Sequence, residues 1–229
     1  MLRIPQLRLP VEHTQRELTE RVKKLLRCNE TPEISVVRRS VDARKKPKLY
    51  FNYILNVRVK NQAQVYRHCN KNQVLLWEEK PYVFPAPFLQ SQGTWGPAGQ
   101  SCGKERPVII GTGPAGLFCG YMLARAGFCP ILLERGMPVE QRVRDVESFW
   151  KNGSLNPESN VQFGEGGAGT FSDGKLNTLV KDTHGRNGKV LSVFVEAGAP
   201  PEILFDHKPH IGTDVLQKVM VNLRKAIQD

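Results

Sequence analysis

Apolar and polar residues alternate along three stretches within the first 60 residues. The longest stretch runs from Leu49 to Lys60 and has apolar side chains at every second position: Leu49, Phe51, Tyr53, Leu55, Val57 and Val59. A period of two predicts a strand with one buried face. Shorter stretches at Ile4 to Leu9 and Ile34 to Val41 predict two further strands of the same sheet.

Between the first two strands the apolar spacing changes to that of a helix. Thr14 and Glu17 form a capping-box pattern, in which hydroxyl and carboxylate satisfy free backbone donors, and one face carries Leu18, Val22, Leu25 and Leu26. A short helix near Gln62 to Cys69 and a strand near Val74 to Trp77 complete the order β-α-β-β-α-β. We therefore predict a small ferredoxin-like α+β domain over residues 1–85.

Residues 86–106 have no apolar periodicity and are rich in Pro, Gly, Ser and Gln. Such composition is typical of a linker or an exposed connection. We therefore predict a domain boundary here, with a second domain over residues 107–229.

The second domain begins with a dinucleotide-binding fingerprint. The run Pro107 to Ile110 predicts a short buried strand and leads directly into Gly111-Thr112-Gly113-Pro114-Ala115-Gly116. A helix follows and ends at Gly127, with an apolar side formed by Leu117, Tyr121, Leu123 and Ala124. Ile131 to Leu133 predicts a second strand that closes with Glu134. This order predicts an α/β fold with a Rossmann-type unit.

Each position of the fingerprint has a physical role. Gly111 permits the tight turn, Gly113 lets the backbone approach a pyrophosphate, and Gly116 lets the helix pack closely on the strand. The helix start at Pro114 and Ala115 directs free N–H groups at the phosphates. Glu134 is placed to accept hydrogen bonds from a ribose, and Arg135 to neutralise phosphate charge. An acid at this position suits either FAD or NAD.

A second glycine cluster lies downstream, at Gly164, Gly166, Gly167 and Gly169 around Ala168. Four glycines in six positions predict an irregular loop. Its backbone N–H groups suit the stabilisation of negative charge on a reduced flavin. Polar residues on the same segment are candidates for supporting the loop or for chemistry: Ser172, Asp173, Lys175 and Asn177.

Three separated motifs point to one family. The segment FGEGGAGTFSDGKLNT from Phe163, SVDARKKP from Ser40 and PHIGTD from Pro209 together resemble a family of largely uncharacterised FAD-dependent dehydrogenases with a small N-terminal domain. The resemblance covers nearly the whole chain. It implies FAD bound by Gly111, Gly113, Gly116, Glu134 and the loop from Gly164 to Gly169, and two-electron transfer through the flavin. It names no substrate, and the electron donor is either NAD(P)H or an organic substrate.

The segment from Asp206 to Asp214 contains two histidines and two carboxylates. We expect no metal there, because such residues in a Pro- and Gly-containing turn more often precede and cap a helix. Thr213 or Asp214 is the predicted cap, and the buried helix face is Leu216, Val219, Met220, Leu223 and Ile227. His207 and His210 are candidate acid–base groups.

The formal charge of +11 is unevenly distributed, because residues 1–85 hold 18 Lys and Arg against 8 Asp and Glu. The alternative function is therefore nucleic-acid or partner binding by this basic module, with a flavin fold that does not catalyse. Tyr50, Phe51 and Tyr53 lie near the basic turn, somewhat like an RNA-recognition sheet. Nucleic-acid binding is disfavoured, because Phe51 and Tyr53 fall on the predicted core face.

Several further expectations come from what the sequence lacks. It has neither a secretory leader nor a run of about 18 apolar residues, so we expect a cytoplasmic protein that makes no membrane contact. No cysteine follows Cys129, which excludes the flavoenzymes that reduce disulfides. A second glycine–aspartate motif and a nicotinamide-binding fingerprint are also missing. We therefore expect the N-terminal part of a longer flavoprotein that alone binds FAD weakly or not at all. The oligomeric state is left open.

Overall fold

In a computed structural model of the chain, the structure describes residues 1–85, 106–178 and 180–229. These residues fall into two compact units: Met1–Lys80 with Glu202–Pro209, and Pro81–Pro201 with His210–Asp229. The predicted linker lies outside the described residues, except for Arg106. Within the described part of the chain, no helix is both long and apolar enough to cross a membrane.

The first unit contains an antiparallel sheet in the order β2-β3-β1-β4. Its strands are β1 (Leu2–Pro10), β2 (Glu33–Asp42), β3 (Tyr50–Arg58) and β4 (Leu75–Leu76). The predicted alternation in β3 is confirmed for Tyr53, Leu55 and Val57, which are buried. The prediction was wrong for Leu49, which precedes the strand and is exposed. The assignment of this unit to the ferredoxin-like class stays a prediction.

Two helices accompany the sheet, α1 (Gln15–Leu26) and α2 (Gln62–His68). The core combines the inner faces of β1 and β3 with one stripe of α1, and its fully buried members include Leu2, Ile4, Val22, Leu26, Leu55 and Val57. The capping box of α1 is confirmed, since the Glu17 N–H donates to Thr14 Oγ1 at 3.2 Å and the Thr14 N–H donates to Glu17 Oε2 at 2.6 Å.

Replacing Thr14 by alanine is expected to lower the free energy of unfolding by about 1 kcal/mol, because the Glu17 N–H loses its acceptor. Urea denaturation followed by circular dichroism measures the change. Thr14→Ser keeps the hydroxyl and is the matched control. Equal loss in both variants would show that the hydroxyl is not the stabilising group.

The segment Glu202–Pro209 joins the first unit at the edge strand β2. The Arg39 N–H donates to Phe205 O at 2.7 Å, and the His207 N–H donates to Arg39 O at 2.9 Å. The Arg39 guanidinium also forms two hydrogen bonds with the Asp206 carboxylate and lies over the rings of Phe51 and Phe205. A segment more than 160 residues away in sequence therefore completes this edge.

From residue 106 onward, the second unit contains first β5 (Val108–Ile110), then α3 (Pro114–Arg125) and β6 (Ile131–Leu133). The two strands are parallel, with Val108 opposite Ile131 and Ile110 opposite Leu133. A parallel pair requires a crossover, and α3 provides it. The predicted strand–helix–strand order is present, while its assignment to a Rossmann-type fold stays a prediction.

The parallel pair leaves apolar side chains in contact with solvent. Ile110 is 86% exposed, Val108 58% and Leu133 53%. Parallel sheets are normally covered on both faces, because their side chains are apolar on both sides. The pair therefore gains little from burial against the described residues.

Among its described residues the second unit contains three further α-helices: α4 (Val139–Asn152), α5 (Arg186–Glu196) and α6 (Thr213–Gln228). The sequence analysis did not predict α4 or α5. The buried face of α6 is confirmed for Leu216, Val219, Met220 and Leu223, and α6 packs against α3.

The predicted cap of α6 was wrong. Gly212 is the N-cap residue, and no side chain caps the helix. The Thr213 hydroxyl instead donates to Ser172 O at 3.1 Å. Asp214 lies in the first turn, where its charge interacts favourably with the helix dipole.

Candidate functional site

The glycine-rich turn connects β5 directly to α3. Gly111 has a φ of +90°, which favours glycine, and its N–H donates to Leu133 O at 2.6 Å. Gly113 is the N-cap residue of α3 and supplies no side-chain cap, and Pro114 is the first helical residue. The N–H groups of Ala115 and Gly116 have no intrahelical acceptor at this position. Because Ala115 is exposed, the helix start offers backbone donors to solvent.

Packing within the protein requires a glycine at position 116 of the turn but not at position 113. A Cβ on Gly116 would lie 1.9 Å from Gly111 O, so the protein's own packing excludes a side chain there. A Cβ on Gly113 would meet no described atom within 4 Å, and its φ of −66° suits any residue. The fold explains Gly116, whereas it gives no reason for a glycine at Gly113.

Glu134 lies at the end of β6 and holds the turn in place. Its Oε2 accepts hydrogen bonds from the Thr112 N–H at 2.6 Å and the Thr112 hydroxyl at 2.8 Å, and its Oε1 accepts one from the Gly136 N–H at 2.8 Å. Burial raises the pKa of this carboxyl, but the hydrogen bonds outweigh burial and lower it overall. The Arg135 backbone also donates to this carboxylate. A carboxylate has about four acceptor sites, so a ligand hydroxyl would replace one of these donors.

Arg135, the predicted phosphate-neutralising residue, already has partners. Its guanidinium donates to Glu158 Oε2 at 3.2 Å and lies 4.4 Å above the centre of the Phe163 ring. The side chain is largely exposed. An exposed ion pair contributes little to stability, so Arg135 can exchange Glu158 for another anion at small cost.

The structure brings the second glycine cluster against the first. The Gly166 N–H donates to Thr112 O at 2.8 Å, and a Cβ on Gly167 would lie 3.1 Å from Pro114 Cδ. Gly164, Gly166 and Gly167 have positive φ values of 106°, 82° and 68°. The predicted irregular loop is confirmed up to Gly167, and Ala168–Phe171 forms a short 3₁₀ helix. Two segments more than 50 residues apart in sequence thus form one glycine-lined surface.

Arg142, on α4, was missed by the sequence analysis. It is fully buried, and its guanidinium donates to four main-chain oxygens of the loop that contains the second glycine cluster. The acceptors are the carbonyl groups of Asn160, Val161, Glu165 and Gly167. Val139 and Val146 flank Arg142 at helical spacing and are also buried. That spacing was the sequence signal that could have identified Arg142, since it places an arginine on an apolar stripe of the helix.

Glu165 also belongs to this buried network. Its Oε2 accepts hydrogen bonds from the Val139 N–H at 2.7 Å and from Arg224 Nη1 at 2.6 Å. Burial raises the pKa of Glu165 despite these partners, whereas pairing with Glu140 and Glu165 raises the pKa of Arg224. The loop is therefore tied to α4 through Val139 and to α6 through Arg224.

The predicted catalytic candidates form a second, exposed cluster in this unit. The Ser172 hydroxyl donates to Gly169 O at 2.8 Å and accepts from the Gly174 N–H. Asp173 pairs with Lys175 at 2.7 Å, which lowers the pKa of the carboxyl. His210 Nε2 lies 2.8 Å from Asp173 O. These contacts support the loop, and a catalytic role for any of the four stays a prediction.

His207 is not part of this cluster. It belongs to the first unit, where its ring contacts the guanidinium of Arg38. Across the described ranges, no group of three or more His, Cys, Asp or Glu side chains is arranged to hold a metal ion.

A cavity of about 1300 Å³ opens beside the glycine-rich turn. Its lining includes Thr112, Glu134, Gly136, Glu165 and Arg224. Leu117, Leu132 and Ile227 lie among its apolar walls. Glu134 therefore lines a space large enough for a nucleoside.

The basic turn of the first unit is organised by Asp42. This buried carboxylate accepts hydrogen bonds from Arg44 and forms an ion pair with Arg8. The hydrogen bonds from Arg44 hold the pKa of Asp42 far below its usual range. Tyr53 is buried and Phe51 packs against the core, so the predicted placement of both rings is confirmed. Neither ring is free to stack on a base.

Two comparisons relate the chain to known proteins. Residues 1–58 match a family described as Domain of unknown function (DUF8436). The whole chain is similar to an uncharacterised protein of Clostridium beijerinckii, with 38% identity over 229 residues. The match covers 99% of this chain and 40% of that protein. The chain therefore spans well under half the length of the relative that it matches.

Proposed function

We propose that residues 107–229 bind the ADP half of FAD and that the protein is an FAD-dependent oxidoreductase. The observation that carries the proposal is Gly113. The fold leaves space around it and tolerates a side chain in its conformation, yet a glycine stands beside the free N–H groups at the start of α3. A ligand that approaches the backbone at this point accounts for the missing side chain.

The same residues suit the two ends of an ADP group. The N–H groups of Ala115 and Gly116 and the positive end of the α3 dipole favour the negative charge of a pyrophosphate. The carboxylate of Glu134 suits a ribose hydroxyl, which would replace one of its present donors, and its lowered pKa keeps it ionised at neutral pH. The cavity next to Glu134 has room for the adenosine.

The choice of FAD over NAD rests on the family resemblance of the three motifs. When bound, FAD supplies the two-electron chemistry, with hydride acceptance at N5. The loop from Gly164 to Gly169 adjoins the start of α3 and would contribute backbone donors to the flavin half. Ser172, Asp173, Lys175 and His210 are the candidates for contact with the substrate, and NAD(P)H is a candidate electron donor.

Gly113→Ala is the sharpest test of this function. The chain alone is expected to bind its cofactor weakly, so the ADP titration extends to high ligand concentration. We expect weak ADP binding by the wild-type chain, detected as shifts of the Ala115 and Gly116 amide signals by NMR. The variant is expected to weaken ADP binding by at least about tenfold, since its methyl group occupies the pyrophosphate space. Its midpoint of thermal unfolding is expected to change by no more than about 2 °C, because the Cβ meets no described atom within 4 Å.

Gly188→Ala is the matched control for this test. Gly188 lies in α5, and a Cβ there would meet only Asp182 Oδ2 at 3.8 Å. Both folding and ADP binding should survive in this variant. The proposed function fails if the wild-type chain shows no ADP-dependent shifts, or if Gly113→Ala binds ADP as tightly as the wild type does.

A further inference from the structure

Arg142 is a buried cation whose hydrogen bonds go to neutral groups. Its three guanidinium nitrogens donate to main-chain carbonyl groups, and no carboxylate of the described residues lies within ion-pair distance. Burial lowers the pKa of Arg142, while the nearby charges of Glu134 and Glu165 raise it. An arginine nonetheless remains protonated in proteins. The guanidinium also lies 4.9 Å from the centre of the Phe171 ring. A buried charge without a carboxylate partner is still costly, so its retention calls for a compensating role.

The hydrogen bonds from Arg142 to loop carbonyl groups fix the direction of the loop peptides. In a trans peptide the C=O and the following N–H point in opposite directions. The Glu165 carbonyl points at Arg142, and the N–H of the same peptide, on Gly166, donates to Thr112 O. The Gly167 carbonyl also points at Arg142, so the Ala168 N–H points away from it. Arg142 thus orients the loop relative to the glycine-rich turn.

The oriented peptides adjoin the helix start. A Cβ on Gly167 would lie 3.1 Å from Pro114 Cδ and 3.5 Å from Gly113 Cα, so the Gly167–Ala168 peptide lies beside the first turn of α3. Ala168 is exposed and is the first residue of the short 3₁₀ helix, where a backbone N–H has no acceptor within the helix. Loop and helix start together offer backbone donors on one surface, with a cation behind the loop.

We propose that Arg142 is a positioning residue that makes the loop from Gly164 to Gly169 the second wall of a diphosphate site. It does so by holding the loop carbonyl groups toward its own buried guanidinium. The inference rests on the proposed function, because it concerns the same site. It adds that the site discriminates by charge, with Arg142 favouring a nucleoside diphosphate over the uncharged nucleoside.

The test compares the affinities of ADP and adenosine in the full 229-residue chain by NMR titration. In Arg142→Met, ADP should bind at least about tenfold more weakly, while the adenosine affinity changes by less than about twofold. Arg144→Gln is the matched control. It removes an exposed positive charge from the same helix, and both affinities should stay within about twofold of the wild type.

Arg142→Lys keeps the result interpretable if the methionine variant does not fold. Lysine retains the charge but has one donor atom in place of the planar fork, so it cannot reach all four carbonyl groups. We expect an intermediate ratio of ADP to adenosine affinity and faster amide exchange at Gly166. If Arg142 only stabilises the fold, both variants should lose affinity for ADP and for adenosine by the same factor. An unchanged ratio of the two affinities would overturn the inference.

The two proposals fail in distinguishable ways. If Gly113→Ala loses ADP binding while the Arg142 variants keep the wild-type ratio, the inference fails and the proposed function stands. If the wild-type chain binds neither ligand, both are overturned.

Discussion

Gly116→Ala is expected to lower the free energy of unfolding of the second unit by about 3 kcal/mol, in the upper range of overpacking costs, and to abolish ADP binding. The added Cβ would lie 1.9 Å from the oxygen and 3.0 Å from the carbon of the Gly111 carbonyl. Both are backbone atoms, which cannot rotate away. The start of α3 must therefore shift from the strand and displace the N–H groups of Ala115 and Gly116. Urea denaturation and an ADP titration measure the two effects.

Gly120→Ala provides the comparison within the same helix. Its Cβ would lie 2.8 Å from Leu132 Cδ2, the end of a side chain that can change rotamer. The gain in helix propensity of about 1 kcal/mol offsets part of the cost. ADP binding should be retained, because Gly120 lies away from the turn. Equal destabilisation by the two substitutions would contradict the assignment of Gly116 to close helix–strand packing.

Gly174→Ala is expected to lower the free energy of unfolding of the second unit by about 3 kcal/mol, because it combines backbone strain with a backbone clash. Gly174 has a φ of +72°, and a Cβ there would lie 1.7 Å from Ile211 O. The Ile211 N–H donates to Gly174 O at 2.9 Å, so the substitution separates the segment of Ser172 and Asp173 from His210. Urea denaturation measures the cost, and amide exchange at Ile211 reports the separation.

Gly169→Ala is the corresponding control, because a Cβ there would meet no described atom within 4 Å and its φ is not positive. Its free energy of unfolding should stay within about 0.5 kcal/mol of the wild-type value, as for most surface substitutions. If Gly174→Ala proves equally mild, the loop is not held by the contact with Ile211.

Elements defined by local chemistry could be predicted from the sequence. The Thr14–Glu17 capping box concerns residues three apart, and the alternation along β3 reflects one buried face. The roles of Gly111 and Gly116 likewise follow from a single turn and its flanking strand and helix. In each case, the interacting residues are close enough in sequence for their spacing to carry the information.

Elements that depend on distant partners could not be predicted. Helix α4 escaped prediction because its apolar stripe is interrupted by Arg142, whose burial requires four carbonyl groups from a loop about 20 residues downstream. The expected Thr213 cap failed for a similar reason, since Ser172 O offers that hydroxyl a tertiary acceptor. Sequence spacing contains neither of these contacts.

For the candidate site, the sequence identified both glycine clusters and Glu134 but not how they meet. The hydrogen bond from Gly166 to Thr112 depends on the orientation of the loop, and Arg142 sets that orientation. The two clusters therefore look independent in sequence, although the structure joins them into one surface.

The return of Glu202–Pro209 to strand β2 makes the first unit discontinuous in sequence. A fragment that ends at residue 85 would lose the partners of the Arg39 backbone and the carboxylate and ring that hold its side chain. The uncovered edge of β2 would then be free to pair with a strand of another molecule. Self-association of such a fragment would therefore reflect the cut, and attaching the eight missing residues through a flexible tether should restore a monomer.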